Sequence, residues 1–206
     1  MNLKLLLSAT LSVFLFLNVN GQTKQAYILK EDFNNNTLGW TEEFTKAHRT
    51  EIKEGSLYIT SLDTSKYQSS NGPQNVSFLW NLPKSFEITS SFQVLDNSLP
   101  ATFGILLYST SLNYRFAYSE TAEGLLSEYD YNREEEATLF SKNTHTPDIV
   151  SLKTIPFKIK VNDRKAQFYV NNVLIGEEVL KAKSWSDIRL FTTSGAAIKV
   201  DYLYIQ

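Results

Sequence analysis

Between residues 155 and 161, Ile155, Phe157, Ile159 and Val161 alternate with Pro156, Lys158 and Lys160, the period of two that marks a half-buried strand. Asn162-Asp163 then predicts a turn into a strand over 166–170, and Asn171-Asn172 a second turn into 173–175, because Asn tolerates the positive φ of a tight hairpin. After Trp185 the segments 188–193 and 198–205 alternate again. Further upstream, Phe86, Ile88, Phe92 and Val94 fall on one face of a longer strand, with Glu87, Thr89, Ser91 and Gln93 on the other. The same reading predicts an opening strand over 26–31 and a hairpin of 50–53 with 56–61 across Glu54-Gly55. It predicts a strand through Val76, Phe78 and Trp80, a turn at 69–73, and successive strands over 103–108, 114–118, 125–131 and 137–140. No window carries a helical stripe. Short strands recurring about every ten residues predict an antiparallel, two-sheet β-sandwich.

The first residues follow another rule. Lys4 precedes an apolar run over 5–17, and Val19 and Gly21 stand at −3 and −1 of a cleavage site, so 1–21 reads as a signal peptide. The run is shorter than the roughly 20 apolar residues of a membrane span. The expected mature chain, 22–206, is one domain, exported to the periplasm or beyond and free of the membrane after cleavage. Without cysteine it has no disulfides and no lipid-bearing thiol, so its stability rests on the core. A formal net charge of −2 gives no drive towards nucleic acid. The 11 Tyr and 13 Phe suit strands and leave rings to spare for a binding face.

The segments Phe86-Glu-Ile-Thr-Ser-Ser-Phe-Gln-Val, Ala101-Thr-Phe-Gly-Ile-Leu-Leu and Tyr114-Arg-Phe-Ala-Tyr resemble the middle of concanavalin A-like (laminin-G-like) jelly-roll domains. Phe157-Lys-Ile-Lys-Val, Phe168-Tyr-Val-Asn-Asn-Val and Ile198-Lys-Val-Asp-Tyr-Leu-Tyr-Ile resemble that family's last strands. Glu31-Asp-Phe-Asn, Trp40 and Ile52-Lys-Glu-Gly-Ser-Leu-Tyr-Ile are similar to the start of such domains in secreted proteins of Bacteroidetes-type bacteria. The resemblance covers essentially all of 22–206. It implies two curved sheets whose concave face often holds sugar, and it does not imply catalysis.

The jelly-roll β-glucanases carry Glu-x-Asp-x-Glu or Glu-x-Asp-x-x-Glu on one strand. Here Glu128-Tyr-Asp130 is followed by Asn132 and Arg133, so the second carboxylate is missing at both spacings. A retaining glycosidase needs two carboxyls about 5 Å apart. A glycoside hydrolase is therefore the weakest of three readings. The others are a non-catalytic carbohydrate-binding module and a protein-interaction or structural domain at the cell surface. If Tyr114, Phe116 and Tyr118 point inward, Arg115 points outward, and alternation predicts Tyr108, Glu128, Asp130, Gln167 and Arg189 on the same ligand-binding face. His48 and His145 are read as surface loop residues, Glu134-Glu-Glu136 as a solvated turn, and no Gly-rich phosphate loop exists. No cofactor is expected. Asp32, Asn34, Asn35, Asn36 and Asp201 offer oxygen for a structural calcium, against which Asx-turn chemistry is the preferred reading of the loop.

Overall fold

A computed structural model describes residues 26–62, 69–97, 100–143, 154–193 and 195–206. Among these residues the alternating segments become fifteen strands. The first eight are β1 (Leu29–Glu31), β2 (Glu43–Phe44), β3 (His48–Lys53), β4 (Ser56–Ser61), β5 (Ser69–Asn71), β6 (Ser85–Asn97), β7 (Thr102–Tyr108) and β8 (Leu112–Ser119). They are followed by β9 (Glu123–Asp130), β10 (Glu135–Asn143), β11 (Ile155–Asn162), β12 (Lys165–Val170), β13 (Val173–Val179), β14 (Asp187–Thr192) and β15 (Ala196–Ile205). No α-helix occurs among the described residues, as the absence of a helical stripe predicts. The leader expected at 1–21 and His145 lie outside them.

The strands form two antiparallel sheets. One runs β13-β12-β11-β6-β15-β4-β3-β2, with β1 also pairing β15; the other runs β10-β9-β8-β7-β14-β5. Strand β15 is shared along one edge: Val200 faces Leu57 of β4, and past a register break Leu203 faces Glu31 of β1. The two inner faces meet ring on ring. Phe92 and Phe157 of the larger sheet lie 5.5 and 5.7 Å from Phe103 of the smaller, and Phe168 lies 5.8 Å edge-on to Phe116. Interleaved rings of this kind bury large apolar areas and fix the two sheets in one register.

The turns use their predicted chemistry. Asn171 and Asn172 both take positive φ (49° and 62°), as do Glu54 and Gly55 (53° and 69°), the backbone of a two-residue hairpin that matches strand twist. Gly104 is required for a different reason: a Cβ there would stand 2.0 Å from the Phe116 carbonyl oxygen.

Two segments depart from the reading. Residues 69–71, expected in a turn, form β5 against β14. Gly72 serves close approach, since a Cβ would sit 2.6 Å from the Ile188 carbonyl, and Pro73 bridges Trp40. The stretch through Val76, Phe78 and Trp80 is a 3₁₀ helix (Ser77–Asn81), not a strand. Val76, Leu79 and Leu82, a period of three, pack on the core together with Phe78, while Trp80 is 69% exposed.

The oxygen-rich loop after β1 satisfies itself. Asn36 brackets Trp40, accepting its backbone N–H at 2.6 Å and donating to its carbonyl at 2.8 Å. Buried Glu31 accepts from the Phe33 backbone N–H at 2.8 Å and from Trp40 Nε1 at 3.1 Å. Burial pushes the Glu31 carboxyl up, and those two hydrogen bonds only partly offset the rise. Asp32 closes an Asx turn on the Asn34 N–H at 3.3 Å. Asp201 is held by Lys199 Nζ at 2.8 Å and by the Ser91 and Ser56 hydroxyls at 3.0 and 3.2 Å, so an ammonium stands where the calcium reading put a metal. No cluster of three or more metal-ligating acids or histidines occurs among the described residues.

Candidate functional site

The register of the smaller sheet decides which side chains can act together. Leu112, Tyr114 and Phe116 point into the core, so Asn113, Arg115 and Ala117 point out. Reading across the strands, the outer face carries one row of Asp187, Tyr108, Asn113, Tyr129 and Glu136. The next row is Arg189, Leu106, Arg115, Ser127 and Thr138, and the third begins Phe191, Gly104, Ala117 and Leu125. Leu106, Ala117 and Phe191 are almost fully buried although they point away from the sandwich interior, forming a small second apolar cluster with Tyr108 and Leu125. This face is therefore not a flat polar surface.

Around that apolar floor stand polar groups and rings. The Arg115 guanidinium lies 5.7 Å over the Phe191 ring, with Nη1 3.3 Å from Glu136, while its Nε is buried with no acceptor among the described residues. The Arg189 guanidinium lies 5.4 Å over the Tyr108 ring, and its Nε donates to Asp187 at 2.7 Å. Burial works against the Arg189 charge, but the bond to Asp187 outweighs it and holds the pKa up. Burial likewise raises the Tyr108 hydroxyl. Tyr129 and Tyr131 pack edge-on at 5.0 Å, and Asn113 donates to the Tyr131 hydroxyl at 3.1 Å. Tyr131 is 47% exposed. At the β5 edge the face opens into a polar cleft of about 290 Å³, lined by Glu43, His48, Ser70, Gly72, Asp187 and Arg189. His48 belongs to β3, not to a loop, and its Nε2 lies 3.0 Å from Glu43.

Of the six predicted site residues, Tyr108, Arg115 and Arg189 share this face. Glu128 and Asp130 do not. They pair in register with Tyr114 and Leu112, and so belong to the inward-facing set of β9. Glu128 is 3% exposed, takes a hydrogen bond from Tyr114 and is paired with Lys181 Nζ. The Tyr114 oxygen in turn accepts the backbone N–H groups of Lys181 and Ala182, at 2.9 and 3.1 Å. The two form a clamp on the β13–β14 connection. Asp130 closes the end of β9, accepting the Asn132 N–H at 2.9 Å with Arg133 3.7 Å away. Gln167 lies in the other sheet, on β12, where its amide is shared between Glu177 and Tyr169 at 3.1 Å each.

The reason for the misplacement is phase. Strand β8 was anchored on Arg115, but the phase of β9 relative to β8 comes from the turn at 120–122 and is not visible in either strand alone. Tyr129 and Tyr131 stand near Asn113 and Arg115 instead. Their alternation with Glu128 and Asp130 was the available signal, read one residue out of phase.

Two carboxylates of the described residues share a row of this face, and two, Glu43 and Asp187, line the edge cleft. Asp187 and Glu136 share a row but are separated by four inter-strand steps, about 19 Å at the usual strand spacing, and each is ion-paired to an arginine. Retaining and inverting enzymes need separations of about 5 and 6.5–9.5 Å.

No family model and no curated protein matches the chain. Solved structures do. The chain is similar to a β-glucanase from Bacillus licheniformis, at 9% identity and a TM-score of 0.62, covering 86% of this chain and 97% of that one. It is similar to the CBM2 module of the Lactobacillus casei BL23 phage J-1 evolved Dit, at 13% identity and 0.53, covering 87% and 94%. It is also similar to the GH43 protein BlXynB of Bacillus licheniformis, at 14% identity and 0.58; that match covers 85% of this chain but only 38% of the other. At these identities the likeness carries the fold alone, a jelly-roll β-sandwich of the concanavalin A-like kind.

Proposed function

We propose that the protein is a non-catalytic glycan-binding module whose ligand lies on the outer face of the six-stranded sheet. The observation that carries this reading is the convergence of Tyr108, Tyr129 and Tyr131 with Arg115, Arg189 and Asn113 on one face, where the row-mates Asp187 and Glu136 are each ion-paired to an arginine. Tyrosine rings offer flat apolar faces to the C–H groups of a pyranose, and guanidinium and amide groups grip its hydroxyls. Jelly-roll neighbours that include carbohydrate-binding modules and glycanases support the same ligand class. The reading includes export: the apolar run and cleavage pattern within 1–21 support a leader and a periplasmic or extracellular module, and the resemblance of its strands supports a Bacteroidetes-type bacterial source.

The test is affinity electrophoresis of residues 22–206 through plant and host polysaccharides, with reducing ends assayed in parallel. A bound polysaccharide should release no new ends. Tyr131→Ala and Arg189→Gln should each weaken binding about three- to tenfold, the range of a lost ring or charged contact, without loss of folding. Cleavage that Asp187→Asn abolishes would establish an enzyme instead. Absence of retardation on every glycan, with capture of a defined surface protein abolished by the same two variants, would establish the protein-interaction domain.

A further inference from the structure

A second cleft, of about 420 Å³, lies at the end of the sandwich away from any residue of the tyrosine face, and is lined by Leu82, Lys84, Asp163, Arg164 and Lys183. Its walls come from three separate parts of the chain: the entry to β6, the β11–β12 turn and the β13–β14 connection. Backbone hydrogen bonds tie them together. The Asp163 N–H donates to the Lys84 carbonyl at 2.7 Å, and the Leu180 N–H to the Arg164 carbonyl at 2.9 Å. Lys183 is bracketed by anchored neighbours. The Ala182 N–H is bonded to the Tyr114 oxygen, and Trp185 is buried edge-on against Phe86 and Tyr114 at 6.4 and 5.8 Å. The cleft is thus preorganised on rigid elements, although the side chains of its basic residues are exposed.

Its charge is out of keeping with the rest of the molecule. Elsewhere the cations are mostly matched to acids, as in Lys160–Glu87, Lys165–Glu177, Lys199–Asp201, Arg115–Glu136 and Arg189–Asp187. Among the described residues Lys84, Arg164 and Lys183 make no ion pair, and Asp163 is the one carboxylate that lines the cleft. In a chain of formal charge −2, three cations facing one cavity repel one another and focus a positive potential there. A bound anion relieves that repulsion. Trp80, 69% exposed, stands in the 3₁₀ helix that leads directly into Leu82.

We propose that this cleft is a binding site for an anionic group, a sulfate ester or a carboxylate, carried on a polysaccharide. The volume is that of a small-ligand cleft, about 300–1,000 Å³. Three cations suit one or two anionic substituents; an anionic membrane is engaged by clusters of about four to eight basic residues. A nucleic-acid backbone is gripped by about six to ten phosphate contacts. This site is independent of the tyrosine face and stands or falls separately from it.

The experiment is affinity electrophoresis of residues 22–206 in gels containing dextran sulfate, polygalacturonate, neutral dextran or single-stranded DNA. Dextran sulfate or polygalacturonate should retard the protein, the stronger of the two identifying the anionic group, and neutral dextran should not. Replacing Lys84, Arg164 and Lys183 by Ser should weaken that retention about tenfold for each cation removed. A control with the same charge change, Lys30, Lys46 and Lys142 to Ser, should stay within about twofold of the parent, since general screening is all it alters. The Tyr131→Ala, Arg189→Gln protein should be retarded like the parent. No retardation by either anionic polysaccharide, an equal loss in the lysine control, or DNA retention as strong as that on the polysaccharides would overturn the assignment. Loss of retention in the tyrosine-face variant instead would move the anion to that face and overturn it as well.

Discussion

Replacing Tyr114 by Phe removes one oxygen atom and breaks a three-way junction. That oxygen accepts the backbone N–H of Lys181 at 2.9 Å and of Ala182 at 3.1 Å, and donates to the buried Glu128 carboxylate. The ring itself is fully buried and keeps its edge contact with Trp185 at 5.8 Å, so the change leaves packing intact and isolates the polar loss. A buried donor left without a partner costs about 1–3 kcal/mol. The Ala182 N–H bears that cost in full, the Lys181 N–H in part, and Glu128 loses one of its donors, which together come to about 2–4 kcal/mol. For a domain of this size that is a fall in Tm of roughly 5–15 °C. Urea denaturation of residues 22–206 should show the loss as a lower midpoint at unchanged slope. The same junction sets a pH signature. Burial, aided by the Glu128 charge, pushes the Tyr114 hydroxyl up to about 12 against the opposition of its two backbone donors. The unfolded chain ionises this group near pH 10, so the native state holds the extra proton between about pH 10 and 12 and stability falls as pH rises through that window. The Phe variant should lose that part of the alkaline slope. A variant within about 0.5 kcal/mol of the parent, or one with the full alkaline slope, would refute the clamp.

Two other expectations bear on opposite ends of the chain. Burial disfavours the Asp201 charge, but Lys199, Ser91 and Ser56 outweigh it and hold the carboxyl below its ordinary value. Its contribution is therefore present above the unfolded pKa of about 3.9 and lost as pH falls through the lower folded value. Asp201→Asn should cost about 1–2 kcal/mol at pH 7, and the gap should close in acid; a constant gap from neutrality to about pH 2.5 would contradict the pairing. Mass spectrometry of the native protein should find a new N-terminus close to Gln22 in a membrane-free fraction, and intact Met1 recovered with membranes would show an anchor in place of a leader.

The fold was legible where each strand's own alternation is strong. The windows at 86–94 and 155–161 carry period two so plainly that strand and inward face follow, and Asn162-Asp163 and Asn171-Asn172 announce the turns that join 155–161, 166–170 and 173–175. At 198–205 a register break between Val200 and Leu203 interrupts the alternation, and the long-range pairing of 86–94 with 155–161 and 198–205 is not written in any one strand. The 3₁₀ helix was hidden because Val76, Phe78 and Trp80 satisfy a period of two while Val76, Leu79 and Leu82 satisfy a period of three. Only burial of Leu79 and exposure of Trp80 choose between them. The cationic cleft had no sequence signature at all. Lys84, Asp163-Arg164 and Lys183 are scattered over a hundred residues and are brought together by strand order and two backbone hydrogen bonds.

The tyrosine face shows how a site can be half legible. Side-chain type picked out strands that do lie in one sheet, Arg115 on β8, Tyr108 on β7, Arg189 on β14 and Glu128 and Asp130 on β9, but also Gln167 on β12 of the other sheet. What alternation leaves open is the phase between neighbouring strands, and a slip of one residue exchanges the two faces. On β9 that exchange swaps acids for rings. With Glu128 and Asp130 outward, the face would carry carboxylates set between arginines, a polar surface with the beginnings of hydrolytic chemistry. With the observed register it carries Tyr129 and Tyr131 beside Asn113 and Arg115, and the acids turn in to hold Tyr114, Lys181 and the end of the strand. The same four residues, 128–131, thus support stacking in one phase and ionic clamping in the other. A buried carboxylate that must satisfy a phenol and an ammonium is also poorly placed to reach a substrate, because either partner would have to be given up first. The register of one turn, more than the composition of any strand, is what makes this face a platform.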